Sequence, residues 1–68
     1  MSEELQPWQQ RVVAEALQLD ARIERLRRFR HSPAFKELLP EDQALLDRQF
    51  AAMDDYYYAL VKRAARFQ

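Results

Sequence analysis

The chain has 68 residues, no cysteine and one histidine, so disulfides and a thiolate zinc site are excluded and His31 cannot build a metal site alone. Eleven basic residues balance eleven acidic ones, which argues against a general nucleic-acid binder, since that class carries a basic excess. The absence of glycine removes phosphate-cradling glycine loops and fits a chain that is nearly all helix.

No apolar run approaches the roughly 18–20 residues that span a bilayer. No basic region followed by an apolar stretch opens the sequence, so it is expected to lack a secretory signal and to act in the cytoplasm. A single domain this short buries a small share of its surface, which makes self-association the expected route to stability.

In chain order, residues 1–6 are expected to fray. Pro7 suits the first turn of a helix, where its missing N–H costs nothing, and helix 1 is predicted over 7–31. Leu5, Val12, Ala16, Leu19, Ile23 and Leu26 follow a heptad, widened by Trp8, Val13, Leu17 and Phe29. Arg25, Arg27, Arg28 and Arg30 crowd its carbonyl end, where the helix dipole favours cations. Ser32-Pro33 stops it, and a connection over 32–40 holds one short helical turn with Phe35 and Leu38 plugging the closed end. Pro40, Glu41 and Asp42 read as a helix start, with helix 2 over 41–67.

Helix 2 carries the strongest pattern. Leu46, Phe50, Met53, Tyr57, Leu60, Ala64 and Phe67 repeat at spacings of four and three, an unbroken heptad stripe. A second stripe runs beside it through Leu45, Gln49, Ala52, Tyr56, Ala59 and Arg63. Two long helices with a short connection predict an all-α antiparallel hairpin, which also sets the basic end of one helix against the acidic start of the other. Glu3, Glu4 and Glu15 face Lys62, Arg63 and Arg66 in this arrangement. The apolar face left over predicts self-association into a helical bundle, with Phe50, Met53, Tyr57, Tyr58, Leu60 and Phe67 at the subunit interface.

With the turn centred near Lys36, residues whose numbers sum to about 72 lie opposite each other. Ala16 then faces Tyr56, Ile23 faces Gln49 and Gln9 faces Arg63. This gathers Trp8, Arg11, Glu15, Tyr56 and Arg63 near the open end. Arginine forks match phosphate oxygens and rings stack on a base, so the group has the chemistry of a nucleotide site, with Glu15 or Gln49 orienting the arginines or reading the base. The same residues also serve as a structural ion-pair network capped by Trp8. The run Arg22, Arg25, Arg27, Arg28, Arg30, His31 could grip an anion, or pair with Glu24, Glu41 and Asp42 as a solvated helix end.

Asp54-Asp55-Tyr56-Tyr57-Tyr58 places three tyrosines in three directions about 100° apart, so they cannot all be core. Adjacent Asp54 and Asp55 do not face each other, and no nucleophile–base pair is recognisable, which argues against an enzyme and implies neither metal nor cofactor.

The pattern Gln10-Arg11-Val12-Val13, Leu19-Asp20, Ile23, Leu26, Phe29, Phe35, Leu45-Leu46, Gln49, Met53, Tyr56, Leu60, Arg63 resembles a family of small helical proteins encoded by tailed and crAss-like phages. That resemblance covers Pro7 to Phe67. It implies a phage accessory protein acting against host defence in the bacterial cytoplasm, by oligomerising and sequestering a cyclic-nucleotide or ADP-ribose type signal. The exposed apolar helix face supports an alternative, an interaction protein that binds and inhibits a host or phage protein through that face.

Overall fold

The computed structural model describes residues 4–67; the expected fraying of residues 1–3 and the pairing of Glu3 lie outside the described residues. Three helices follow in order: α1 (Pro7–Arg30), the single turn α2 (Pro33–Lys36) and α3 (Pro40–Ala64). No strand occurs among the described residues. α1 and α3 pack side by side and antiparallel, giving a rod of 55 × 15 × 14 Å.

Each helix begins on a proline. Ahead of α1 the backbone is secured: Gln6 N–H donates to the Gln9 side-chain oxygen at 2.8 Å, and the Gln10 amide donates to the Leu5 carbonyl at 2.8 Å. The Gln9 side chain thereby satisfies a backbone N–H at the start of the helix, and the Gln10 side chain satisfies a carbonyl just ahead of it. Ser32 closes one helix and opens the next, its hydroxyl donating to the Phe29 carbonyl at 2.6 Å and accepting from Phe35 N–H at 3.4 Å. Phe29 and Phe35 meet edge to face at 6.0 Å across this corner.

Gln43 ties the connection to α3. Its side-chain amide donates to the carbonyls of Phe35, Lys36 and Leu38 at 3.1, 3.4 and 3.0 Å. The Phe35 carbonyl also accepts from Leu38 N–H at 3.1 Å, so Gln43 adds a second donor there and supplies one to the carbonyls of Lys36 and Leu38.

The core is a narrow seam of Val12, Leu19, Ile23 and Leu60, with Ala16, Phe50, Met53, Tyr57 and Phe67 packed around it. The two heptad stripes of α3 therefore have opposite fates. Leu46, Phe50, Met53, Tyr57, Leu60, Ala64 and Phe67 all turn inward, whereas Leu45, Gln49, Ala52, Tyr56, Ala59 and Arg63 are all exposed. Most of the residues expected at a subunit interface lie on the inward stripe. Leu60 is 1% exposed and its apolar surface is already covered within the chain. Phe50, Met53, Tyr57 and Phe67 likewise pack against the intrachain core, and of the six only Tyr58, 63% exposed, stands clear of it. Within the chain, α1 packs on this stripe.

Two expectations change. Leu17 is 68% exposed, so it does not widen the buried stripe of α1. Gln49 is exposed and does not face the seam at Ile23; Phe50 and Met53 fill that place. Helix α3 ends at Ala64, and i→i+3 bonds from Arg66 to Arg63 and from Phe67 to Ala64, each 3.0 Å, tighten the chain after it. That tightening carries the Phe67 ring onto Trp8.

Candidate functional site

The open end of the hairpin holds a cleft of about 500 Å³ lined by Trp8, Gln9, Arg63, Arg66 and Phe67. Pro7 starts α1 one residue before Trp8, so the indole projects from the first turn. Its ring meets Phe67 edge to face, with centroids 5.4 Å apart and planes at 78°. Trp8 keeps 49% of its surface exposed. Arg63 sits in the last turn of α3 and Arg66 just beyond it, both exposed. The last turn is the carbonyl end of the helix dipole, which favours these cations.

Beside the cleft, the Tyr56 hydroxyl donates to a Glu15 carboxylate oxygen across the hairpin. Trp8, Arg11 and Glu15 follow spacings of three and four, and Tyr56 and Arg63 are seven apart, so these residues share one side of the rod. Glu15 and Tyr56 lie two helical turns inward from the cleft, about 10 Å along the axis.

Of the six residues predicted to form a site, Trp8 and Arg63 thus line the cleft. Glu15 and Tyr56 form a bonded pair next to it, and exposed Arg11 stands between Trp8 and Glu15 on the same face of α1. The structure does not bring Gln49 to the group. Gln49 lies two heptads from Arg63, about 21 Å along the helix, and its amide points to the Met53 sulfur at 3.9 Å.

Gln9, Arg66 and Phe67 complete the lining and were not read as site residues from the sequence. Arg66 was legible as a charge facing the start of helix 1, and Phe67 as the last member of the heptad. Neither signal says that the chain folds over after Ala64.

Two members of the arginine run at the closed end, Arg27 and Arg30, are engaged by their own chain. Arg30 Nε donates to Asp47 at 2.8 Å while its guanidinium lies over the Phe50 ring, 4.4 Å from the centroid. Arg27 pairs with Glu24 and approaches the same ring at 5.6 Å. No group of three His, Cys, Asp or Glu residues among the described residues is placed to hold a metal ion.

Chemically, the open end offers two guanidinium forks, two aromatic rings and an amide within one cleft. A volume of this size suits a small ligand, and guanidinium forks favour oxyanions. The set contains donors and stacking faces but no nucleophile beside a base. The chain is thus a small helical hairpin with an open, cation-lined cleft at one end. The Sequestin family model matches residues 6–66, and the chain belongs to the Sequestin family, whose name fits a role in binding and holding a partner. No curated protein and no solved structure matches the chain.

Proposed function

We propose that this protein is a non-enzymatic, self-associating binding module that sequesters a small anionic, nucleotide-derived signal of the cyclic-nucleotide or ADP-ribose type. As a phage accessory protein it would act in the host bacterial cytoplasm, lowering the free concentration of a defence signal. The observation that carries this reading is the convergence of Arg63, Arg66, Trp8 and Phe67 in one open cleft. Arg63 and Arg66 contact the phosphates, and the exposed faces of Trp8 and Tyr56 stack on the base. The Glu15 carboxylate fixes the Tyr56 ring, and Arg11 adds a further positive charge on the same side. Membership of the Sequestin family supports the holding role.

Calorimetric titration with cyclic dinucleotides and cyclic ADP-ribose isomers tests the proposal. Saturable heat with one of these classes is expected, and flat heats with all of them on folded protein would remove it.

A second reading has its own observation. Leu17, Tyr58 and Val61 are exposed large hydrophobics on the rod, outside the cleft. An interaction module would use such a face to bind and inhibit a host or phage protein. Retention of a stoichiometric protein partner from host lysate, lost on Tyr58→Ala, would favour it.

A further inference from the structure

The rod has a second side, turned away from the bond between Glu15 and Tyr56. On α1, Val13, Leu17, Asp20, Glu24 and Arg27 recur at spacings of four and three, so they share one line on the helix. On α3, Asp47, Asp54, Tyr58 and Val61 form a matching row. The two rows meet at Phe50: Arg27 and Arg30 both lie over its ring, and Arg30 also bonds Asp47. Both rows therefore border one groove between the helices.

The antiparallel pairing turns the rows into rungs. At the register of the observed cross-pairs, Val13 lies level with Val61, Leu17 with Tyr58 and Asp20 with Asp54. Leu17 is the most exposed large hydrophobic of α1, and Tyr58 is that of α3. The bare apolar centre of the groove is thus one rung to which each helix gives its least covered side chain.

Charge is ordered along the same groove. Glu24 is paired with Arg27, and Asp47 with Arg30. Among the described residues no ion pair reaches Asp20 or Asp54, and no Lys or Arg stands three or four positions from either. Two carboxylates set level with each other repel, and a cation placed between them removes that cost. Toward the open end the sign changes, for the Lys62 ammonium lies 5.5 Å from the Tyr58 ring centroid.

We propose that this groove docks an amphipathic helix of a partner protein. Two apolar residues four apart in that helix sit on the Val13 and Leu17 rungs, and a lysine or arginine one turn further on lies between Asp20 and Asp54. The spacing fits a helix, since the two apolar rungs are about 6 Å apart along the rod and the carboxylates about 5 Å beyond them. The apolar rungs supply most of the affinity. The carboxylates at one end and Lys62 at the other fix which end of the partner carries positive charge. The inference rests on the second reading above and names the chemistry of its partner; the open-end cleft plays no part in it.

Fluorescence anisotropy on the full chain, with two labelled helical peptides of about 16 residues, tests this. One peptide carries leucines four apart with a lysine pair one turn further on, and in the other glutamates replace the lysines. The lysine peptide is expected to bind about tenfold or more tightly than its glutamate twin, with amide shifts in NMR at Leu17, Asp20, Asp54 and Tyr58. Leu17→Glu is expected to abolish binding at unchanged far-UV helicity. The double variant D20K/D54K is expected to reverse the preference and bind the glutamate peptide.

Failure of the lysine peptide to bind, equal binding of both peptides, an unreversed preference in D20K/D54K, or shifts confined to the Trp8 cleft overturns the proposal. Self-association in sedimentation that Leu17→Glu abolishes would give the groove to a second copy and overturns it too. A host protein retained through Tyr58 while the peptides show no charge preference overturns this inference alone and leaves the second reading standing.

Discussion

Tyr56 donates its hydroxyl hydrogen bond to Glu15 across the hairpin, joining residues 41 apart in the chain. A tyrosine on the exposed stripe is thereby fixed to α1, and the two helices are tied on the side that carries the cleft. Tyr56→Phe keeps the ring and removes the donor. The expected cost is about 1 kcal/mol, since the bond lies at the surface and water replaces part of it. In a domain of this size that lowers Tm by about 4–8 °C, readable by thermal unfolding followed by circular dichroism.

Leu60 is the most completely buried side chain of the seam. Leu60→Ala removes its contacts with both helices and leaves a cavity, at an expected cost of about 3 kcal/mol. Leu17→Ala, at the other extreme of exposure, is expected to fall within about 0.5 kcal/mol of wild type. Urea unfolding of the two variants side by side checks both values. A Leu17→Ala loss as large as that of Leu60→Ala would mean that the seam lies elsewhere.

Gln43 fills a role that no charge or heptad pattern announces, capping carbonyls of the connection with one amide. Gln43→Glu removes the donors and sets a carboxylate against carbonyl oxygens. Because Gln43 is half-buried, a loss of about 2 kcal/mol is expected at neutral pH. Gln43→Met preserves the length of the side chain without the donors and is expected to lose less. Denaturant midpoints of the two variants provide the measurement.

Arg30 combines an ion pair with Asp47 and a stacked position over Phe50. Lysine retains the charge but not the planar fork, so Arg30→Lys is expected to cost about 1 kcal/mol. Most of that cost belongs to the ring, because the pair with half-exposed Asp47 is screened by water. A double-mutant cycle with Phe50→Leu, read by chemical unfolding, separates the two terms.

The cleft makes a positional prediction for ligand binding. Arg63→Ala and Trp8→Ala are expected to weaken capture of a nucleotide-derived anion about tenfold or more, equivalent to at least roughly 1.4 kcal/mol. Gln49→Ala, some 21 Å along the helix from Arg63, is expected to bind as wild type. Equal losses in all three, measured by titration calorimetry, would move the site away from the open end.

Pro7, Pro33 and Pro40 marked the helix starts in the sequence because each lacks the N–H that a first turn leaves unused. The heptad from Leu46 to Phe67 marked a buried face because its spacing suits no other element. The convergence of Trp8 with Arg63 followed from the hairpin alone, since a short connection forces α1 and α3 to run antiparallel. Gln49 was misplaced by the same reasoning, because a register centred on one residue ignores how the connection winds. The observed cross-pairs sum to 71 for Glu15 and Tyr56, 75 for Trp8 and Phe67, and 77 for Arg30 and Asp47.

Sequence alone therefore determined the two rods, their antiparallel sense and the charges at their ends, all of which are local consequences of proline, periodicity and the helix dipole. Which of the two stripes on α3 turned inward was decided only by tertiary packing. Both stripes keep the same period, and the choice depends on which one the apolar face of α1 fits: leucine, phenylalanine and methionine fill the seam, and alanines on the other stripe leave it open. Tertiary structure also folded Phe67 back onto Trp8, because a ring beyond the last helical turn has no position until another helix end supplies a surface for it.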